Sequence, residues 1–259
     1  MSHPPSPGLF VISVDVGPCD GGLRLADQRA LREAAGHLLR ELNRLGITAT
    51  WAVDELAADL TAQLQSSGQE IALLADAAWA SREAPRAESA RELKQHLQDA
   101  TARGIPLSTL ALRGFALTDH TDLLVKRGFT AVRTLTGERD AARGRSASRW
   151  GRSPAPGPHA IRFGLWETPA TLGVARNGSS GAVRRLRLQL ESDDYIHAVI
   201  DLAGISESHR ALEHITGLLS AAAKLRDSGQ LRIDSVSQLT ERLTAPRRNR
   251  PAQSVLRAA

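Results

Sequence analysis

The stretch Leu31-Arg32-Glu33-Ala34-Ala35-Gly36-His37-Leu38-Leu39-Arg40-Glu41-Leu42-Asn43-Arg44-Leu45-Gly46-Ile47-Thr48-Ala49-Thr50-Trp51-Ala52-Val53 decides the fold class. Leu31, Ala34, Ala35, Leu38, Leu39, Leu42 and Leu45 recur at the spacing of one helix face, with Asp27 as the expected N-cap. Gly46 supplies the left-handed residue that closes a helix. The run from Ile47 to Val53 is β-branched and aromatic, the composition of a strand. The same unit returns along the chain. Leu56, Leu60 and Leu64 lead to Gly68 and Glu70-Ile71-Ala72-Leu73-Leu74; Ala90, Leu93, Leu97 and Ala100 lead to Gly104 and Thr109-Leu110-Ala111-Leu112. Leu123-Leu124 leads to Gly128 and Phe129-Thr130-Ala131-Val132, and Leu212, Ile215, Leu218, Leu219 and Leu225 lead to Gly229 and Leu231-Arg232-Ile233. With an opening strand at Leu9–Asp15 and another at Tyr195–Leu202, the pattern predicts an α/β chain whose mostly parallel strands, about seven of them, form a closed or nearly closed barrel. Chemistry in such barrels sits at the C-terminal ends of the strands.

Composition narrows the classes of function. Of 259 residues, 42% are hydrophobic and 24% charged, enough to build a core and too apolar for a disordered chain. The single Cys19 excludes a disulfide framework and thiolate zinc sites, while eight histidines leave imidazole ligation to be judged by position. Aromatic residues at 3% provide few platforms for stacking bases. Only Lys94, Lys126 and Lys224 are lysines among 33 basic residues; this arginine bias reads as genome composition rather than a nucleic-acid footprint, and no nucleic-acid-binding motif accompanies it. The apolar run Leu9 to Val14 is too short for a signal-peptide core and no stretch reaches membrane-spanning length, so a cytoplasmic protein is expected. The expected organisation is a flexible N-terminus at 1–8, one domain at 9–243 with a Gly-, Pro-, Arg- and Ser-rich excursion at 137–159, and a basic tail at 244–259.

The strand ends carry the candidate chemistry. The first reads Ser13-Val14-Asp15-Val16-Gly17-Pro18, and Asp15 there is either a general base or a turn-former. Later strand ends read Gly68-Gln69-Glu70-Ile71-Ala72, Leu112-Arg113-Gly114-Phe115 and Tyr195-Ile196-His197-Ala198-Val199-Ile200-Asp201. In this order, with Ala49-Thr50-Trp51-Ala52-Val53 between the first two, these segments resemble the polysaccharide deacetylase (NodB-homology) family of carbohydrate esterases, which remove acetyl groups from amino sugars. The resemblance covers roughly residues 9 to 243 and implies a distorted (β/α) barrel of about seven strands. It implies Asp15 as the base, Arg113 as its orienter, His197 as a candidate general acid, and a carbohydrate ligand.

The departures from the family pattern bear on mechanism. In the family a second Asp and two histidines hold a divalent metal; here those positions fall on Val16, Leu74 and Ala78, none of which offers a lone pair. The expected cofactor is therefore none, unless Asp15, Asp76, His197 and Asp201 converge on a relocated metal site. An Arg113 salt bridge to Asp15 or Asp76, standing where the metal stood, is the alternative. Asp76, Trp79 and Asp201 are the candidate substrate contacts, although a tryptophan near a strand end serves equally to fill the core. Two functions follow: a hydrolase of the deacetylase type, with metal-dependent activity in doubt, or a non-catalytic module that binds sugar or a protein partner.

Overall fold

The computed structural model describes residues 7–17, 25–54, 58–114, 116–135, 157–174, 195–206 and 209–245. The expected excursion therefore lies outside the described residues up to 156, and the expected tail from 246 onward. Among the described residues the helices are α1 (Leu25–Arg44), α2 (Ala58–Ser66), α3 (Ala77–Ala80), α4 (Arg86–Ala102), α5 (Thr121–Lys126), α6 (Leu202–Ile205), α7 (His209–Asp227) and α8 (Val236–Thr244). The strands are β1 (Gly8–Val16), β2 (Thr50–Val53), β3 (Glu70–Ala75), β4 (Thr109–Leu112), β5 (Ala131–Leu135), β6 (His159–Ala160), β7 (Trp166–Ala170), β8 (Leu172–Val174), β9 (Tyr195–Asp201) and β10 (Leu231–Asp234).

The glycine that the repeat placed after each helix does what was expected of it. Gly46, Gly68, Gly104, Gly128 and Gly229 all have positive φ, between 61° and 88°. At Gly46 the following amide, Ile47 N–H, donates to Leu42 O at 2.9 Å and Gly46 N–H donates to Asn43 O at 3.1 Å. This pair of bonds satisfies helix-end carbonyls and turns the chain into the strand layer. The strand then starts later than expected, at Thr50, because the Gln69 side chain takes the backbone groups before it. Gln69 Oε1 accepts from Ala49 N–H at 2.8 Å, and Gln69 Nε2 donates to Ile47 O at 3.2 Å.

The strands form one ten-stranded sheet that curls into a barrel. β1, β2, β3, β4 and β5 pair in parallel, in that order. The segment Trp166–Val174 closes the ring by changing partners at Thr171: β7 pairs in parallel with β5, and β8 with β9. β9 returns to β1 along Leu9–Asp15. β6 adds a short antiparallel edge on β7, and β10 pairs with the start of β1. Sequence reading missed β7 and β8 because Pro169 and Gly173 interrupt the run, and proline in a strand argues against it.

Alternation along β1 sorts its side chains. Phe10, Ile12 and Val14 face the helix layer, packing with Leu38 and Leu42 of α1. Val11, Ser13 and Asp15 face the barrel interior, where Val11 meets Ala131 and, from α8, Val236 and Leu239. Helix α8 thus plugs the barrel floor. Its first amides are satisfied by the sheet: Val236 N–H donates to Thr50 Oγ1 at 2.8 Å and Ser237 N–H to Glu70 Oε2 at 2.9 Å. Thr50 and Thr109 hydroxyls donate to the same carboxylate at 2.8 and 2.6 Å. Ser235 and Gln238 complete a capping box, the Ser-x-x-Gln signal for a helix that the sequence reading did not place.

Candidate functional site at the barrel mouth

β1 delivers Asp15 to the C-terminal end of the barrel, 3% exposed. Arg133 Nη2 donates to Asp15 Oδ1 at 2.7 Å from the far wall on β5. Arg113 Nε lies 3.7 Å from Asp15 Oδ2, and Arg113 Nη2 donates to Gly17 O at 2.9 Å. The two carboxylate oxygens are therefore divided between two guanidinium groups. Arg133 is fully buried, whereas the Arg113 side chain is 21% exposed and forms part of the rim. Arg133 Nε and Nη1 have no hydrogen-bond partner among the described residues.

The expected Arg113–Asp15 pairing is present, but Arg133 makes the closer contact and was not anticipated. A signal existed. Arg133 stands between Val132 and Thr134 in an apolar run, and a parallel strand buried on both faces leaves a guanidinium no route to water. Such a residue needs a carboxylate partner inside.

Asp201 is the register partner of Asp15, so it also reaches the mouth. It leads into α6, where a Cβ on Gly204 would lie 2.9 Å from Asp201 Oδ2; the turn has no room for a side chain there. Gly17 is similarly crowded, since a Cβ there would lie 3.1 Å from Asp54 Cβ and 3.4 Å from Leu74 Cδ2. Asp54, at the end of β2, is thereby added to the mouth.

The other predicted site residues lie elsewhere. His197 is not at a strand end: it pairs with Val11, four residues below Asp201, roughly 13 Å down the barrel at strand rise. It is fully buried, with Nε2 2.7 Å from Ser13 Oγ and Nδ1 3.2 Å from Tyr195 Oη. Burial first, and the Arg133 charge second, hold its imidazole down to about 3, so it is neutral at ordinary pH. This corrects the expected general acid to a core histidine with its ring nitrogens engaged. Asp76 is exposed and caps α3, its Oδ1 accepting from Ala78 N–H at 2.7 Å. Trp79 is 6% exposed and packs its ring against His96, with 5.6 Å between centroids, so it fills the core instead of offering a face to a sugar. Asp15 meets Arg113 and Arg133, with Asp201 beside it on the next strand; His197, Asp76 and Trp79 take no part in these contacts.

A divalent metal, implied by the resemblance, does not fit these residues. Val16 packs with the helix-facing core, Leu74 is buried among Ala52, Ala72 and Ala111, and Ala78 is exposed, so hydrocarbon stands at each expected ligand. The relocated alternative is not formed: His197 is engaged by Ser13 and Tyr195, and the Asp76 side chain caps Ala78 N–H. Among the described residues no group of three His, Cys, Asp or Glu side chains is arranged to hold a metal. Cys19 and Asp20 lie outside the described residues.

No protein-family model and no curated protein sequence matches the chain. Solved structures do match in fold. A Mycobacterium smegmatis protein assigned as a polysaccharide deacetylase superposes with a TM-score of 0.68 at 16% identity, over 93% of this chain and 92% of that one. The 4-alpha-glucanotransferase of Thermococcus litoralis gives 0.65 at 12% identity, over 93% of this chain and 41% of that one. A mutant of a CE4 family pseudoenzyme with restored enzymatic activity gives 0.53 at 11% identity, over 92% of this chain and 69% of that one. One barrel thus carries different activities, and the site decides among them. The chain has the fold of the polysaccharide deacetylases.

Proposed function

We propose that this chain is a divergent polysaccharide deacetylase-like protein of carbohydrate metabolism. It binds carbohydrate at the barrel mouth and has lost metal-dependent deacetylation. The observation that carries this reading is the double hold on Asp15: the carboxylate at the expected base position gives one oxygen to Arg133 and the other to Arg113. One oxygen is hydrogen-bonded to Arg133 and the other is ion-paired with Arg113 at 3.7 Å, and the neighbouring positions proposed to complete a metal site carry hydrocarbon. Without a Lewis acid, several kcal/mol of transition-state stabilisation for acetyl transfer to water is missing. The rim groups Arg113, Asp54 and Asp201 match the hydroxyl and acetamido groups of an amino sugar, which need donors and acceptors fixed on rigid strands. A CE4 family pseudoenzyme among the structural neighbours is consistent with this reading.

The test is acetate release from N-acetylated chitin and peptidoglycan oligosaccharides, with and without added zinc or cobalt, alongside glycan titration followed by NMR. Glycan binding without acetate release is expected. Metal-dependent release that disappears in Asp15→Ala would overturn the loss of catalysis. Absence of binding to every amino-sugar oligosaccharide would overturn the carbohydrate assignment.

A further inference from the structure

We infer that the cation of this barrel mouth has become part of the chain: the Arg133 guanidinium occupies the electrostatic place of a divalent metal and excludes one. The inference rests on the proposed correspondence of Val16, Leu74 and Ala78 to the metal-ligand positions. The mouth brings Asp15 and Asp201 together at one rung of adjacent strands. The Asp15 carboxylate, 3% exposed, calls for a positive charge beside it. Arg133 supplies it from β5, fully buried, with Nη2 2.7 Å from Asp15 Oδ1. Arg113 adds a second positive charge from the rim, at 3.7 Å.

A metal ion drawn to Asp15 would meet this fixed guanidinium at close range, in an interior with little water to screen it. Guanidinium also stays charged throughout the accessible pH range, so the internal cation cannot be titrated away as a lysine could. Its charge is felt deeper in the barrel, where it helps keep His197 neutral. Replacing the metal ligands with hydrocarbon and acquiring an internal cation are therefore two parts of one change, and reversing the first alone does not restore metal binding.

The test restores the ligands with Arg133 present and absent. Val16→Asp/Leu74→His/Ala78→His is made in the full chain, and the same triple is made with Arg133→Met. Arg133→Gln in that background serves as a milder neutral variant. Zinc content is measured by mass spectrometry after equilibration with a zinc buffer, and circular dichroism verifies folding. The triple variant is expected to stay essentially metal-free, and loss of the Arg133 charge to raise zinc affinity by at least about 10–100-fold, the scale of interactions just outside a metal's ligand shell. Equal zinc binding with and without Arg133 overturns the inference and leaves the ligand positions standing. No zinc in any folded variant overturns the assignment of those positions, and the inference with it.

Discussion

At the barrel floor Glu70 is held by neutral donors, two threonine hydroxyls and a backbone amide at the start of α8. At the mouth Asp15 is held by two cations. The floor arrangement costs little to bury, because a carboxylate ringed by hydroxyls and a helix N-terminus needs no second desolvated charge. The mouth arrangement desolvates several charges, an expense that stability alone does not call for, since packed apolar residues would serve as well or better. Around Glu70 the floor is satisfied by neutral groups and acts as a structural seal. A mouth that retains charges against that cost is consistent with the function proposed for that end of the barrel.

The sharpest way to break this contrast is to remove one partner at the mouth. Arg133→Met strands Asp15 and is expected to cost about 3–5 kcal/mol in urea unfolding, while Asp15→Leu/Arg133→Met recovers most of that loss. A double variant as unstable as the single one would show that the pair is structural in the same sense as the floor. At the floor, Glu70→Ala removes an acceptor from three donors and is expected to cost about 3 kcal/mol, about 1 per hydrogen bond. Glu70→Gln, which keeps an acceptor oxygen, should recover part of this in the same assay. If Glu70→Gln instead proved as damaging as removing Arg133, the floor would depend on charge after all.

Between the two ends, His197 gives a pH signature. Its native pKa of about 3 lies below the unfolded value near 6.5, so below pH 6.5 the unfolded chain binds a proton that the native barrel refuses. Stability attributable to this residue is therefore lost as pH falls from about 6.5 towards 3, at up to about 1.4 kcal/mol per pH unit. His197→Gln should flatten that slope in unfolding curves taken across the range. The smallest expected effect is at Asp76, which caps α3: Asp76→Ala should cost about 1 kcal/mol in thermal unfolding and leave glycan binding unchanged. Weakened glycan binding in that variant would return Asp76 to the site.

Much of the fold was legible because its punctuation is local. Each helix-ending glycine acts within a few residues of itself, and these five of the positive-φ glycines mark the repeat without reference to anything distant. What escaped was set by long-range partners. β7 and β8 look broken in sequence because Pro169 and Gly173 interrupt them, and only pairing with β5 on one side and β9 on the other makes them one closing segment. The site followed the same rule. Asp15 and Arg113 lie in recognisable strand-end segments, whereas Arg133 acts across the barrel on a residue 118 positions away. His197 looked like a strand-end residue because the depth of β9 in the barrel depends on its register with β1, which sequence does not reveal.

That register has a consequence for synthesis. β1 precedes the other described strands in the chain, yet it is central: β2 covers part of one edge, and β9 and β10 complete the rest. Tyr195 follows Val53 by about 140 residues, so at about 5–20 residues per second the growing chain carries an incompletely paired apolar strand for roughly 7–28 seconds. An open strand of that composition invites pairing with neighbouring chains. The nascent protein is thus most prone to aggregation before β9 and β10 emerge, and chains truncated ahead of β9 should collect in the insoluble fraction.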